Sequence, residues 1–159
     1  MATRSVSASR RIAAPAERLF ALLADPTNHP RIDGSGTLQR VVGRHPTRLG
    51  PGSRFSVDMH LGLPYRMRNL VVEFHEGRRI AWTHVGAARW RWELEPRPDG
   101  TTLVTETFDW SRSPLGYRIF LERLHLPERN QEAIVASLAR LAALAAPAAP
   151  AEETHPASA

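Results

Sequence analysis

The chain contains no cysteine and no lysine, and it has no long apolar run. Without cysteine it forms no disulfide bonds and offers no thiolate ligands to a metal, which weakly favours a reducing compartment. No segment approaches the roughly 18 apolar residues that a membrane-spanning helix needs. The segment MATRSVSASRR at the start lacks the apolar region of a secretory signal. These absences predict a cytoplasmic protein without stable membrane insertion.

All of the positive charge comes from 21 arginines, and the formal net charge is +5. A basic balance can indicate nucleic acid or an anionic surface as partner. Here the arginines occur singly or in pairs among acidic residues. The segment ARWRWE at 88–93 mixes arginine with tryptophan, as single-strand binders do. Its strict alternation places the two residue types on opposite faces, which is typical of a half-buried strand. We therefore expect no nucleic-acid partner.

Signature motifs of common enzyme classes are also missing from the sequence. No nucleophile elbow, phosphate-binding loop or dinucleotide fingerprint lies at a strand-to-helix junction. The seven histidines show no metal-ligand spacing. The sequence therefore predicts neither a metal nor a cofactor.

The clearest element is a helix over residues 127–145, PERNQEAIVASLARLAALA. Pro127 suits the first helical turn, where its missing N–H costs nothing, and Pro147 ends the helix. At 1.5 Å per residue the helix is about 28 Å long, enough to cross a small domain. Its apolar face consists of Ile134, Leu138, Leu141 and Ala145, widened by Val135, Ala142 and Leu144.

Alternating apolar and polar residues predict seven strands, and two short helices over 14–25 and 26–32 follow the first strand. Hairpin turns such as Asp99-Gly100 join most strands, so the sheet is antiparallel. One-sided alternation means that one face is buried and the other is wet. Only the final helix is large enough to cover the buried face. The predicted strands are 5–12, 37–43, 54–61, 65–75, 79–84, 88–95 and 101–110.

Two further segments complete the predicted organisation. Residues 111–126 are too apolar for a solvated linker, which predicts a short amphipathic helix or a lid. An apolar surface there also suits a protein partner or a second copy of the chain, so monomer and homodimer both remain open. The Ala/Pro-rich tail 147–159 is predicted to be disordered. A single domain over residues 1–146 results.

Six short motifs follow one another along the chain: APAERLF at 14–20, GSRF at 52–55, VVEF at 71–74, RIAW at 79–82, WRWELE at 90–95 and GTTLVTE at 100–106. Their order and spacing resemble the START and Bet v 1-like helix-grip superfamily (SRPBCC), with its polyketide cyclase/dehydrase branch closest. The resemblance covers roughly residues 4–146. It implies an α+β fold in which a curved seven-stranded antiparallel sheet wraps around a long C-terminal helix. The superfamily includes cyclases, lipid or hormone carriers and ligand-gated regulators, so it implies no single function.

The inner faces of this predicted sheet indicate an aromatic cavity under the final helix. Such a cavity suits a hydrophobic small molecule, either a lipid or an aromatic, polyketide-like compound. The alternative is a packed core that these same rings fill. The segments 61–65 and 115–124 are candidate gates. The candidate ligand-binding residues are Met59, Trp82, His84, Trp90, Trp92, Phe108 and Trp110.

Three polar residues, Arg68, His84 and Glu106, share the inner faces and are the candidate catalytic residues. Burying a charge is costly unless it is paired. We therefore expect either that Arg68 pairs with Glu106 across the cavity or that Glu106 has a raised pKa and acts as an acid or base. His84 is a candidate proton shuttle. In cyclase relatives such groups polarise a polyketide carbonyl, so an aromatase/cyclase or dehydratase is the alternative to a carrier. The structural alternative is an ion pair or strand-end side chains that reach solvent.

Two other polar pairs are expected at the surface. Asp58 and His60 share a face of their strand, which is the solvent face. His29 and Asp33 lie beside the short helices, near the expected cavity mouth. A non-catalytic regulatory or protein-interaction module that uses the apolar segment 115–126 is the third functional hypothesis.

Overall fold

The computed structural model describes residues 4–84 and 87–147. Most of the predicted tail, residues 148–159, and part of the predicted turn at 86–88 lie outside these ranges. The elements in chain order are β1 (Ser5–Ile12), α1 (Ala16–Ala24), a 3-10 turn (Pro26–Asn28), α2 (His29–Ile32), β2 (Leu38–Val42), β3 (Arg54–Leu61), β4 (Leu63–His75), β5 (Arg79–Thr83), β6 (Arg89–Pro96), β7 (Thr102–Asp109), α3 (Leu115–Arg123) and α4 (Leu126–Ala145).

The strands form one seven-stranded sheet in the order β1-β7-β6-β5-β4-β3-β2. Every neighbouring pair is antiparallel, and β1 pairs with β7 from Ser5 opposite Asp109 to Ile12 opposite Thr102. The strands after β2 follow one another as hairpins, as the turn residues predict. The predicted α+β class, the antiparallel sheet and the two short helices after β1 are confirmed.

The long helix α4 lies across the sheet, with its contacts concentrated on β1 and β7. His125, which precedes it, has a left-handed φ of 53°, so the chain turns sharply between α3 and α4. The predicted apolar face is buried at Ile134 and Leu138. Val135 does not belong to it, because its position one residue further around the helix leaves it 55% exposed.

The helix α1 fills one end of the space under the sheet. Leu19, Phe20 and Leu23 are fully buried, and the Phe20 ring meets Phe74 edge to face at 5.4 Å between centroids. This end is a close-packed core. The space at the other end, beneath the first half of α4, contains the cavity described below.

A buried hydrogen bond joins β7 to the start of α1. The Thr102 hydroxyl donates to the Ala14 carbonyl at 2.8 Å, and Thr102 is fully buried. Thr102→Val should therefore lower the free energy of unfolding by about 1–2 kcal/mol, because it leaves a buried carbonyl unpaired. Urea denaturation measures the change. Thr105→Val is the matched control: its hydroxyl bonds Ser9 on the exposed face, so we expect a change of about 0.5 kcal/mol or less.

A bulge in β4 changes which side chains of this strand face the inside of the sheet, compared with the prediction. The register shifts between Val71 and Glu73, so Met67, Asn69 and Val71 face inward before the bulge. The prediction that Arg68 faces inward assumes that the alternation of Leu70, Val72 and Phe74 continues back to Arg68 without an extra residue. One inserted residue moves the side chains that precede it to the other face of the sheet. Arg68 is therefore exposed on the outer face.

The segment 111–126 contains the amphipathic helix that its composition predicts. Leu121 of α3 is buried against the core, whereas Leu115, Ile119 and Phe120 are exposed. Among residues 4–84 and 87–147, no helix is both long enough and apolar enough to cross a membrane.

Candidate functional site

A cavity of about 580 Å³ lies between the inner face of the sheet and the helices α2, α3 and α4. Its sheet wall comes from β3 to β7, and its roof comes from the first half of α4, from Leu126 to Ser137. The apolar lining residues are Ile32, Leu38, Phe55, Val57, Met59, Leu61, Met67, Trp82, Trp90, Trp92, Phe108, Leu121, Leu126, Ala133 and Ala136.

Most of the sequence-predicted site residues line this cavity. They are Met59, Trp82, His84, Trp90, Trp92, Glu106 and Phe108. Period-two alternation is enough to place all of them but His84, because their strands run without interruption at these positions. His84 lies one residue beyond the end of β5.

Trp110 does not belong to the lining, contrary to the prediction. Its strand ends at Asp109, and its ring stacks behind Phe108 with 5.6 Å between centroids. Its indole N–H donates to Glu122 at 3.2 Å. Trp110 therefore supports the cavity wall and links it to α3.

Two aromatic clusters form the wall. In the first, Phe108 lies 4.7 Å from Trp90 and 6.5 Å from the nearly parallel His84 ring, measured between centroids. In the second, Trp82 stacks on His29 at 4.8 Å and meets Phe55 edge to face. Flat rings on several strands present an extended apolar surface to anything in the cavity.

His29 is buried, contrary to its predicted surface position. Its Nε2 donates to the Leu23 carbonyl at 2.8 Å, and burial lowers the pKa of the imidazole below 6.5. The sequence did carry a signal: His29 and Ile32 are three residues apart, so they share one face of α2. His29 is a neutral part of the cavity wall.

Glu106 is the buried carboxyl group of the cavity. It is 4% exposed, and its Oε2 has no hydrogen-bond partner in the described ranges. Its register neighbours on β6 and β1 are Trp92 and Ala8, which surround it with apolar groups. Burial, reinforced by the negative charge of Asp33, raises the pKa of Glu106 well above 4.5. The raised pKa is one of the two predicted alternatives. A protonated carboxyl can donate a hydrogen bond or a proton.

The other alternative, an ion pair between Arg68 and Glu106, is wrong. Arg68 lies on the outer face of β4, where it is paired in register with Ser56 of β3. The bulge beyond Val71 is the reason. Arg68 is therefore not a candidate catalytic residue.

One wall of the cavity is a loop that α4 holds in place. Asp33, Gly34 and Ser35 line the cavity between α2 and β2. The Gly34 N–H donates to the Ser137 hydroxyl at 2.8 Å, and Arg140 donates to the Asp33 carbonyl at 2.7 Å. Both partners lie on α4, more than a hundred residues away in sequence.

Two tyrosines that are not among the predicted site residues also belong to the cavity lining. Tyr65 of β4 and Tyr117 of α3 both line the cavity and are partly buried. Burial raises the pKa of both phenols, and the charge of Tyr65 adds to the rise at Tyr117. Leu61 and Leu63 nearby are exposed. These residues belong to the two segments predicted as gates.

Asp58 and His60 lie on the outer face of the sheet, as expected. Asp58 accepts hydrogen bonds from Arg66 and Arg40, which lower its pKa. Across residues 4–84 and 87–147, no group of three or more His, Asp or Glu side chains is arranged to hold a metal ion.

A ligand-sized cavity between an antiparallel sheet and a long C-terminal helix defines a helix-grip protein. Solved structures share this fold. Protein Ms6760 from Mycobacterium smegmatis superimposes with a TM-score of 0.65 at 19% identity, covering 89% of this chain and 93% of that one. Protein NE0264 from Nitrosomonas europaea gives 0.66 at 20% identity, covering 91% and 95%.

The chain belongs to the family described as polyketide cyclase/dehydrase and lipid transport, whose model matches residues 3–146. A relative at the sequence level is protein Rv0088 of Mycobacterium tuberculosis, which is 41% identical over 138 residues. Protein MT0096 from a second strain of that species is 40% identical over the same length. The match covers 84% of this chain and 61% of each relative, so the chain spans about three fifths of their length.

Proposed function

We propose that the protein binds a hydrophobic small molecule, a lipid or an aromatic, polyketide-like compound, in the cavity between the sheet and α4. The observation that carries the proposal is the cavity itself, about 580 Å³ and walled by two aromatic clusters. Small-molecule sites commonly enclose roughly 300–1,000 Å³ and are mostly apolar. The family description names both lipid transport and cyclase chemistry, and it supports a ligand in this fold without choosing between them.

The packing of the rest of the molecule favours a binding cavity over a packed core. Leu19, Phe20 and Leu23 of α1 fill the space at the other end of the sheet completely. The aromatic residues around the cavity could have met in the same way, but an open volume remains between them. Because protein interiors normally close-pack, an open volume of this size supports a ligand-binding role.

A cavity-filling variant tests the proposal. Ala133 is buried on the cavity side of α4, so Ala133→Trp should occupy ligand space and weaken binding by about tenfold or more. Fluorescence titration with N-phenyl-1-naphthylamine, a neutral apolar dye, measures the affinity. Val135→Trp, on the exposed side of the same helix, is the matched control and should bind as the wild type does.

Native mass spectrometry of protein purified from its own host, followed by denaturing extraction, provides the second measurement. A hydrophobic molecule that is retained by the wild type and lost from Ala133→Trp would support the proposal. A wild type that carries no molecule and binds no dye would contradict it.

The second candidate function is a polyketide aromatase/cyclase or dehydratase, and the carboxyl of Glu106 favours it. A protonated carboxyl in a water-poor cavity can act as a general acid towards a substrate carbonyl. If the protein is such an enzyme, Glu106→Gln should abolish turnover of a polyketide-like substrate while its affinity stays within a few fold. If it is a carrier, the same variant should leave transfer of the ligand unchanged.

A further inference from the structure

The carboxyl of Glu106 is an unsatisfied polar group in an apolar wall. Its Oε2 is buried without a hydrogen-bond partner among the described residues. The residues beside it in register, Trp92 and Ala8, have no side-chain oxygen that could accept a hydrogen bond. Buried polar groups nearly always find partners, and each exception in a native structure calls for an explanation. Glu106 is one of the residues that line the cavity.

A structural ion pair does not explain Glu106. Arg68 is on the other side of the sheet. The pKa of Glu106 is raised first by burial and then by the negative charge of Asp33, and both effects act against ionisation. A carboxyl in this state carries a proton that it can share with an acceptor in the cavity.

We propose that the Glu106 carboxyl donates a hydrogen bond to a carbonyl or hydroxyl oxygen on an otherwise apolar ligand. The inference rests on the proposed function and adds the chemistry that selects the ligand. A ligand with an acceptor at this depth satisfies the carboxyl group, whereas a pure hydrocarbon leaves it unpaired at a cost in affinity. The natural ligand is therefore a ketone, ester, amide or alcohol rather than a hydrocarbon or a cation.

Two probes of nearly equal shape test this selection. 2-Acetylnaphthalene has a ketone oxygen, and 2-isopropylnaphthalene has a methyl group in its place. We expect the wild type to prefer the ketone by about tenfold, the equivalent of one well-formed hydrogen bond. Glu106→Gln should keep the preference, because its amide N–H also donates. Glu106→Leu, which has no donor, should lose the preference while binding the hydrocarbon at least as tightly as the wild type.

Asn69 supplies the control for another donor in the same cavity. It is the other uncharged polar side chain buried in the sheet wall, so Asn69→Leu should leave the ketone preference intact.

Infrared spectroscopy of the bound ketone is an independent readout. Its carbonyl stretch should shift to lower frequency in the wild type and in Glu106→Gln but not in Glu106→Leu. Thermal melting establishes that each variant is folded.

The outcomes separate this inference from the proposed function. If the wild type binds both probes equally, or if Glu106→Leu keeps the preference, the inference is overturned and the cavity remains a binding site. Tighter binding of 2-naphthylmethylammonium than of the ketone would also overturn it, because it would indicate a carboxylate. If neither naphthalene binds the wild type, the proposed function fails together with the inference.

Discussion

Replacing Gly34 by alanine is expected to lower the free energy of unfolding by about 4 kcal/mol or more, among the largest effects of a single substitution. An added Cβ would lie 2.2 Å from the Ala133 carbonyl oxygen and 2.5 Å from the Ser137 nitrogen. Both atoms belong to the backbone of α4, so neither can rotate away as a flexible side chain would. Relief requires the loop and the helix to separate, which also breaks the Gly34–Ser137 hydrogen bond.

Gly116→Ala is the control for this change. Gly116 lies in α3, where an added Cβ meets nothing within 4 Å. Since alanine favours a helix over glycine by about 0.5–1 kcal/mol, this variant should be slightly more stable than the wild type. Guanidinium denaturation of the three proteins measures both changes. A loss below about 1 kcal/mol for Gly34→Ala would show that the loop does not pack against α4 as closely as described.

The close approach at Gly34 also bears on function. The same loop lines the cavity, and two hydrogen bonds hold it to α4: Gly34 donates to Ser137, and Arg140 donates to Asp33. It is therefore a fixed wall.

The sheet could be predicted from the sequence because strand periodicity is a local property. In β3, β6 and β7, every second residue faces inward without interruption, so Val57, Trp92 and Phe108 follow directly from the pattern. In β4 one additional residue at the bulge reverses the facing, and no local feature of the sequence marks its position. The error at Arg68 follows from that single residue.

The remainder of the site depends on contacts between distant segments. The packing role of Gly34 depends on α4, about a hundred residues away in sequence. His29 and Ile32 share one face of a short helix, but the rings that bury His29, those of Phe55 and Trp82, lie on strands much later in the chain. Trp110 follows the strand pattern but lies one residue beyond the end of β7, where the chain leaves the sheet. Local patterns therefore predict the aromatic wall and the helix above it, but not the loop at Gly34 or the burial of His29.

Replacing Glu106 by glutamine should make the protein more stable, by about 2–3 kcal/mol at mildly alkaline pH. The carboxyl has a raised pKa in the folded protein because burial disfavours its charged form. The unfolded chain releases this proton near the ordinary value of 4.5, whereas the folded protein retains it. The folded state therefore binds more protons, and the free energy of unfolding falls as pH rises from 4.5 towards the raised pKa. Glutamine cannot ionise, so the variant lacks this loss.

The measurement is urea denaturation of both proteins across a series of pH values, with stability expressed as the difference between them. The two curves should meet below pH 4.5 and separate progressively above it. His29 and the two cavity tyrosines also titrate with shifted pKa values, but they are present in both proteins and cancel in the difference. Glu132→Gln, at an exposed position on the cavity rim, should change stability by about 0.5 kcal/mol or less. A constant difference between wild type and Glu106→Gln at every pH would show that Glu106 is not a buried protonated acid, and it would remove the donor on which the ketone preference depends.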